Sequence, residues 1–299
     1  MSDKQAIRQL LVISGKGGTG KTTVVASFAA LARAAVLADC DVDAADLHLI
    51  LKPQILEQHE FNGGQEAVVI ADRCTACGIC VENCRFDAIE MDDVARVDRL
   101  GCEGCGLCRR LCPEGAIELR PAHSGDWFVS RTEYGTMVHA QLGIAQENSG
   151  KLVARVREEA YRRARDEEKP LVLIDGPPGI GCPVIAALSG VDLALLVIEP
   201  TMSGIHDFER VLSVCRHFGV QALVCINRYD LSAKNTARVE DYCAQQGVPV
   251  IGKIPFDRAV VAALVAGRPA VYDDGPAARA IKQVWRGLER HMYDRGSAG

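Results

Sequence analysis

The chain has 299 residues, of which 48% are hydrophobic and 24% charged. That balance excludes intrinsic disorder and predicts one main domain with a smaller module. A net charge of −5 argues against a general nucleic-acid binder. No apolar run reaches the roughly 18 residues of a membrane span, and residues 1–14 lack the apolar core and cleavage site of a signal peptide, so a cytoplasmic protein is expected.

The first expected strand, Gln9–Ile13, opens into Ser14-Gly15-Lys16-Gly17-Gly18-Thr19-Gly20-Lys21-Thr22-Thr23. Gly15, Gly20, Lys21 and Thr22 match G-x-x-x-x-G-K-[ST], a loop whose backbone N–H groups curl around phosphate oxygens. In that pattern Lys21 meets the β/γ phosphates and Thr22 ligates Mg²⁺. Gly15 through Thr23 are therefore candidate nucleotide-binding residues, and Val24–Ala34 reads as the helix facing the phosphates. Gly15, Gly17 and Gly20 also fit G-x-G-x-x-G, with Asp39 near the distance of a ribose-binding acid. A dinucleotide site, however, gives Lys21-Thr22 no role. The next strand, Ala35–Ala38, closes on Asp39-Cys40-Asp41, which offers carboxylates near a γ-phosphate.

The chain then breaks its alternation. Of thirteen cysteines, eight fall between residues 74 and 112. An odd count with no secretion signal favours metal ligation over a disulfide scaffold. Cys74, Cys77, Cys80 and Cys84 repeat as Cys102, Cys105, Cys108 and Cys112, and Ala88-Ile89-Glu90 repeats as Ala116-Ile117-Glu118. Two copies of C-x2-C-x2-C-x3-C form the pattern of bacterial two-cluster ferredoxins, in which the fourth cysteine serves the other cluster. The expected 4Fe–4S sets are Cys74, Cys77, Cys80 and Cys112 for one cluster, and Cys84, Cys102, Cys105 and Cys108 for the second. Zinc also takes C-x2-C spacing, but the doubled triple spacing disfavours it. Pro113 follows Cys112 where Arg85 follows Cys84, so the two environments differ. Residues 65–121 carry eleven acids, seven arginines and no lysine, an acidic face that suits either solvation or a basic redox partner.

Beyond the cysteines, strands are expected at 171–175, 192–198, 221–226 and 249–252, with helices near 150–166, 181–189, 204–218 and 235–246. This is a doubly wound, mostly parallel α/β sheet, discontinuous over residues 1–64 and 122–299. An α+β ferredoxin-like domain is inserted at 65–121. Leu171-Val172-Leu173-Ile174-Asp175 is a buried strand ending in a carboxylate suited to the Mg²⁺ shell. Cys215, Cys225 and Cys243 read as core thiols. Ile281, Val284, Trp285, Leu288 and Met292 form a helical stripe, either a last helix on the sheet or a membrane-surface anchor.

Lys16, directly after the first glycine, makes this loop resemble the deviant Walker A loop of the MinD superfamily of P-loop ATPases. That group includes the nitrogenase iron protein, the ParA and MinD partition proteins and Mrp-type iron–sulfur carriers. The resemblance implies that Lys16 reaches a partner's phosphates across a nucleotide-sandwich dimer and that Asp41 orients the attacking water. It also implies that the loop after Asp175 is a second switch. In Cys225-Ile226-Asn227-Arg228, Asn227 would read adenine, and Ile254-Pro255-Phe256-Asp257 resembles the adenine-side loop, adding Pro255 and Asp257. The implied catalytic set is Lys16, Lys21, Asp41 and Asp175, and the Mg²⁺ set is Thr22, Asp41 and Asp175.

With the cysteine module included, the sequence is similar to the subgroup that carries an inserted ferredoxin domain. Tyr134–Ala140 and Glu147–Val153 fit that subgroup. Ser149 would cap a helix at 151–165, leaving Asn148 and Lys151 for nucleotide or partner. No subunit-bridging cluster at Cys182 is expected. The function implied is ATP hydrolysis coupled to electron transfer through two 4Fe–4S clusters, with ATP/ADP and Mg²⁺ as further cofactors. The alternative is an ATP-dependent factor that assembles or carries a metal cofactor or iron–sulfur cluster. The implied partners are a second copy or a related ATPase in a nucleotide-dependent dimer, and a redox or cofactor-assembly protein. A purely positioning ATPase would leave the cysteine module without a purpose.

Overall fold

Strands alternate with helices at both ends of the chain and are interrupted by a stretch of short elements. The computed structural model describes residues 6–143 and 149–293. In chain order the elements are β1 (Arg8–Ser14), α1 (Lys21–Ala32), β2 (Ala35–Asp39), α2 (Leu47–Leu51), β3 (Gln54–Val69), α3 (Ile79–Glu82), β4 (Ile89–Met91), β5 (Ala95–Val97), α4 (Leu107–Leu111), β6 (Ile117–Thr132) and β7 (Gly135–Leu142). They continue with α5 (Ser149–Asp166), β8 (Leu171–Pro178), α6 (Cys182–Leu188), β9 (Leu193–Ile198), α7 (Met202–His217), β10 (Gln221–Asn227), α8 (Ala233–Gln245), β11 (Val250–Ile254), α9 (Arg258–Val265) and α10 (Pro276–Tyr293). Contacts divide the chain into two units, one of Met1–Gln58, Trp127–Ala140 and Ser149–Gly299, the other of His59–Asp126 and Gln141–Asn148.

In the first unit the sheet order runs β11-β10-β9-β1-β8-β2-β7. Every pair from β11 to β7 is parallel. Parallel strands covered on both faces must be apolar throughout, and Leu10–Ile13, Leu171–Ile174 and Leu193–Ile198 are all buried. The register places Asp39 opposite Asp175, and Asp175 opposite Val12 just before the phosphate loop. The carboxylates and the loop therefore share the C-terminal edge of three adjacent strands, where such sheets bind ligands.

The C-terminal stripe is settled as a packing face. Ile281, Val284, Trp285, Leu288 and Met292 of α10 are buried, and Trp285 meets Phe28 of α1 at 5.1 Å between ring centroids. Truncating such an aromatic to alanine costs about 3–5 kcal/mol. Among the described residues no helix is long and apolar enough to cross a membrane.

Three further points differ from the sequence reading. β8 runs on to Pro178 because, after a register shift, Pro178 still pairs with Ser14. α5 already includes Ser149, so Ser149 lies in its first turn and is not a cap outside it; Asn148 lies outside the described residues. β3, β6 and β7 are strands that periodicity did not reveal. β3 and β6 are 16 residues each, and Gly63-Gly64 in one and Pro121 and Gly125 in the other break the alternation that marks a strand.

The second unit holds the cysteines and reproduces the sequence repeat in its backbone. Ala76, Gly78 and Asp87 adopt left-handed conformations (φ 51°, 78° and 51°), and so do their repeat partners Gly104, Gly106 and Gly115 (61°, 75° and 58°). Gly78 and Gly106 each start a short helix, α3 and α4. A Cβ on Gly104 would strike the carbonyl oxygen of Gln65, so only glycine fits there. β4 and β5 pair antiparallel through Ile89–Val97 and Met91–Ala95. The core is small: Ala67, Cys80, Ile89, Ala95 and Ile117 are buried, with Cys74, Cys84, Cys102, Cys108 and Cys112 packed against them.

Candidate functional site

Two places gather the chemistry, one in each unit. In the first, the loop after β1 wraps into α1 through Gly18 and Gly20, both left-handed at φ 76° and 88°. A Cβ on Gly20 would collide with the Asn227 amide. The Asn227 Nδ2 donates to the carbonyl of Thr19 at 2.7 Å, tying the loop to the end of β10. Arg228, itself left-handed at φ 52°, reaches Gly18 O at 3.5 Å and Glu199 Oε1 at 3.3 Å.

Lys21 sits at the centre. Its Nζ is 2.7 Å from Asp175 Oδ1, 3.2 Å from Asp41 Oδ2 and 3.4 Å from Thr22 Oγ1. Burial alone would pull the ammonium down, but Asp175, Asp41 and Asp39 hold it above its ordinary value. Burial pushes the Asp39 carboxyl well up, with the Asp175 charge adding to it. Asp41 is pushed up by burial too, against the pull of Lys21. Thr19 Oγ1, Asp39 Oδ2 and Asp175 Oδ2 are buried with no hydrogen-bond partner. Orphaned buried oxygens beside a lone ammonium fit a site completed by a phosphate and its cation.

Lys16 turns back within its own chain, donating to Thr201 Oγ1 at 2.9 Å and Ser203 Oγ at 3.1 Å. Thr201 also caps α7 by accepting from Gly204 N. Thr201, Ser203 and Glu199 went unnoticed in the sequence, although Glu199-Pro200-Thr201 following an apolar strand is a readable strand end with a cap. Gly20, Thr23, Asn227, Arg228, Pro255, Phe256 and Asp257 line one cavity together with the apolar Val24, Ile254, Val260 and Leu264. Asp257 is occupied locally: it caps α9 through Ala259 N and also accepts from Ala277 N.

In the second unit two small cavities are each lined by four cysteines. Cys74, Cys77, Cys80 and Cys112 line one, beside Val69, Met91 and Ile117. Cys84, Cys102, Cys105 and Cys108 line the other, beside Phe86, Ile89 and Leu107. Backbone N–H groups point at sulfur: Ala67 N is 3.5 Å from Cys102 Sγ and Ala116 N is 3.3 Å from Cys112 Sγ. Burial raises the Cys80 and Cys108 thiols, and neighbouring cysteines push in the same direction. Among the described residues no three His, Cys, Asp or Glu side chains converge as ligands of a single metal ion.

The remaining cysteines divide plainly. Cys215, Cys225 and Cys243 are buried, and burial pushes their thiols up to about 12, 12 and 11. Cys40 is buried as well, and Cys182 is exposed.

Known proteins share this architecture. An uncharacterized protein of Methanocaldococcus jannaschii is 32% identical over 96% of this chain and 98% of its own length. An uncharacterized ATP-binding protein of the same organism is 28% identical over 95% of this chain and 89% of its own. The MinD protein of Pyrococcus horikoshii, solved in complex with Mg-ADP, shares the fold with a TM-score of 0.60. It is 20% identical and covers 98% of this chain and 100% of that one. Residues 10–270 match the CobQ/CobB/MinD/ParA nucleotide binding domain. With the phosphate loop and the strand-end carboxylates on one edge of a parallel sheet, the chain belongs to the CobQ/CobB/MinD/ParA family of nucleotide-binding domains.

Proposed function

We propose that this protein hydrolyses ATP in its first unit, and that its nucleotide state governs electron transfer through two 4Fe–4S clusters held by its second. The observation that carries this reading is the sorting of eight cysteines into two cavities, each lined by one swapped quartet. Four-iron clusters take Cys₄ ligation. Because a cubane separates its thiolates by its own width, its ligands need not converge on a point as those of a single ion do. The donor set fits: four thiols per cavity, apolar walls, and backbone N–H groups directed at sulfur. Each cluster, when bound, would supply a one-electron couple whose potential depends on those N–H groups and on solvent exposure. Phe86 with Asn83 in one cavity, against Met91 with Glu114 in the other, supports two unequal potentials.

In the first unit, Lys21 would exchange its carboxylate partners for the β/γ phosphates, and the Thr22 hydroxyl and Asp175 would hold Mg²⁺ and its water shell. Asp41 would orient the attacking water. Lys16 must leave Thr201 and Ser203 before it can reach a partner's phosphates in a dimer with a second copy or a related ATPase. For a redox partner, Cys102 is the cysteine to approach. It lines both its quartet cavity and a larger polar cleft with Glu60, Glu66, Arg99 and Glu103, and that charge suits a basic surface.

One observation favours delivery of a cluster to another protein instead: Cys77 and Cys105, one in each quartet, are exposed. A single experiment separates the readings. Anaerobically purified protein is assayed for iron and by EPR-monitored redox titration with no nucleotide, with ADP·Mg²⁺ and with ATP·Mg²⁺. Eight irons retained through turnover, with a nucleotide-dependent potential or line shape, supports gated electron transfer. Iron lost to an acceptor supports delivery, and zinc in place of iron rejects both.

A further inference from the structure

The chain passes four times between its two units, after Gln58, Asp126, Ala140 and Asn148. Helix α5 attends three of these passages, entirely through residues of the first unit. It begins at Ser149, the first residue after the last passage. Its Arg163 Nη2 donates to both carboxylate oxygens of Glu57 at 2.7 and 2.6 Å, one residue before Gln58. The Arg155 guanidinium lies 4.8 Å from the ring centroid of Trp127, the first residue after the second passage. Glu159 stands between these arginines on the same face, buried, accepting from Arg162 at 2.9 Å and from Arg163 at 2.7 Å.

The other side of α5 holds the element that follows Asp175. The strand bearing that carboxylate leads through Gly179 and Gly181 into α6. Arg157 Nη1 donates to the carbonyls of Ala186 and Ser189 at 2.8 and 2.6 Å, gripping the C-terminal end of α6, while its Nη2 holds Gln9 Oε1 at 2.9 Å. At the opposite end of α6, Gly150 lies so close to Cys182 that a Cβ would stand 3.3 Å from its side chain and carbonyl. At 3.6 residues per turn, residues 150 and 157 fall within about 20° of each other, while 155 and 159 lie about 160° from 157 and 163 about 120° from it. One face of α5 therefore grips the switch-side helix, and the faces turned away from it grip the passages.

We propose that α5 is the transmission element between the nucleotide site and the cysteine-bearing unit, with Arg157 and the Arg163–Glu57 pair as its two handles. Contacts of a γ-phosphate and its cation at Asp175 reposition the loop before α6, and a shift of α6 by an ångström or two draws α5 with it. A packed helix moves as a body, so Arg163 and Arg155 pull on Glu57 and Trp127 with it. This rests on the ATPase reading of the first unit and not on iron in the second.

The test is amide hydrogen exchange over residues 59–126 of the full-length protein, with and without Mg²⁺ and the hydrolysis-resistant analogue AMPPNP. In the natural chain the nucleotide changes exchange there several-fold. Glu57→Gln and Arg157→Met reduce that response to less than twofold, with AMPPNP affinity and basal ATPase within twofold of the natural protein. Glu57→Asp, which keeps the carboxylate, retains the response, a result that mere loosening of the fold would not produce. Exchange in residues 59–126 that ignores AMPPNP, or a full response surviving in both variants, overturns the proposal. Iron counted on the same samples is a separate readout: an intact nucleotide response in iron-free protein supports the transmission role while rejecting the cluster reading.

Discussion

The nucleotide end of the first unit and the cysteine loops of the second are built on opposite economies of structure. Around Lys21 the functional atoms are charged side chains set on strand ends, and the strands behind them are held by a large apolar core. Site and core are different atoms. In the second unit, among the described residues, five are buried in the core cluster, one of them Cys80, and five more cysteines pack against it. There the candidate ligands are themselves part of the core. A unit that small rarely folds on apolar burial alone, and a metal-ligating core makes binding energy into folding energy. The first site is thus expected to lose function without losing the fold behind it, the second to lose both together.

The largest test of that contrast is Lys21→Met. ATPase activity is expected to fall at least about 100-fold, as when a preorganised charge is removed from a transition state. The variant leaves Asp39, Asp41 and Asp175 without their cation, which costs about 3 kcal/mol at neutral pH. The sign of its pH dependence follows. Asp39 and Asp41, already raised by burial, rise further without the Lys21 charge, so they are stabilising when protonated and destabilising when ionised. The lost stability therefore returns in part as pH falls through those raised values toward the ordinary carboxylate range, measured by urea unfolding as a function of pH. Gly104→Ala breaks the other side of the comparison. A left-handed alanine costs about 1–2 kcal/mol and its Cβ also meets the Gln65 carbonyl, so a loss of about 3 kcal/mol is expected. Hydrogen exchange should localise that loss to residues 59–126, with ATPase unchanged.

What was legible in the sequence follows the same division. Gly15–Thr22 and the two cysteine repeats are patterns of fixed spacing readable in the chain alone, and each cavity of the second unit is lined by one of the quartets that the repeats suggest. β8, β9 and β10 were legible because strands buried on both faces are continuous apolar runs. β3 and β6 were not, since their exposed, charged and glycine-broken stretches carry no period. Nor was the partner of Lys16. Thr201 and Ser203 lie 185 and 187 residues away, and a cap threonine has no local signature of a second task. Arg157 and Arg163 have no sequence signature either, because only the packing shows which carbonyls and carboxylates they meet.

A smaller effect probes the first unit away from its nucleotide. His139 of β7 stands opposite Asp39 in register, with Nε2 2.9 Å from Ser130 Oγ and its ring stacked on Phe128 at 5.0 Å. Burial, with the His48 charge in the same direction, pulls it down to about 4. A histidine depressed in the folded state stabilises above its ordinary value of about 6.5 and loses that contribution as pH falls toward 4. Stability should therefore drop by about 2 kcal/mol between pH 8 and pH 5 from this residue alone. His139→Asn, which can still bond Ser130, should flatten that part of the curve. An unchanged slope in the variant would assign the acid loss to other groups.

The smallest effect sharpens the comparison within the second unit, between its own two repeats. Gly104 and Ala76 occupy equivalent positions, both left-handed at φ 61° and 51°, yet one is glycine and the other is not. At Gly104 a side chain is forbidden by the Gln65 carbonyl; Ala76 is exposed, so its cost is confined to the backbone. Ala76→Gly removes a left-handed penalty of about 1–2 kcal/mol and adds unfolded-state freedom that costs about 0.4–1 kcal/mol. The net expectation is a gain of about 0.5 kcal/mol, opposite in sign to Gly104→Ala and several-fold smaller. The same hydrogen-exchange measurement reads both. A loss at Ala76→Gly would mean that the alanine methyl makes a favourable contact outweighing its strain, and the two repeats would then be alike in backbone but not in what holds each in place.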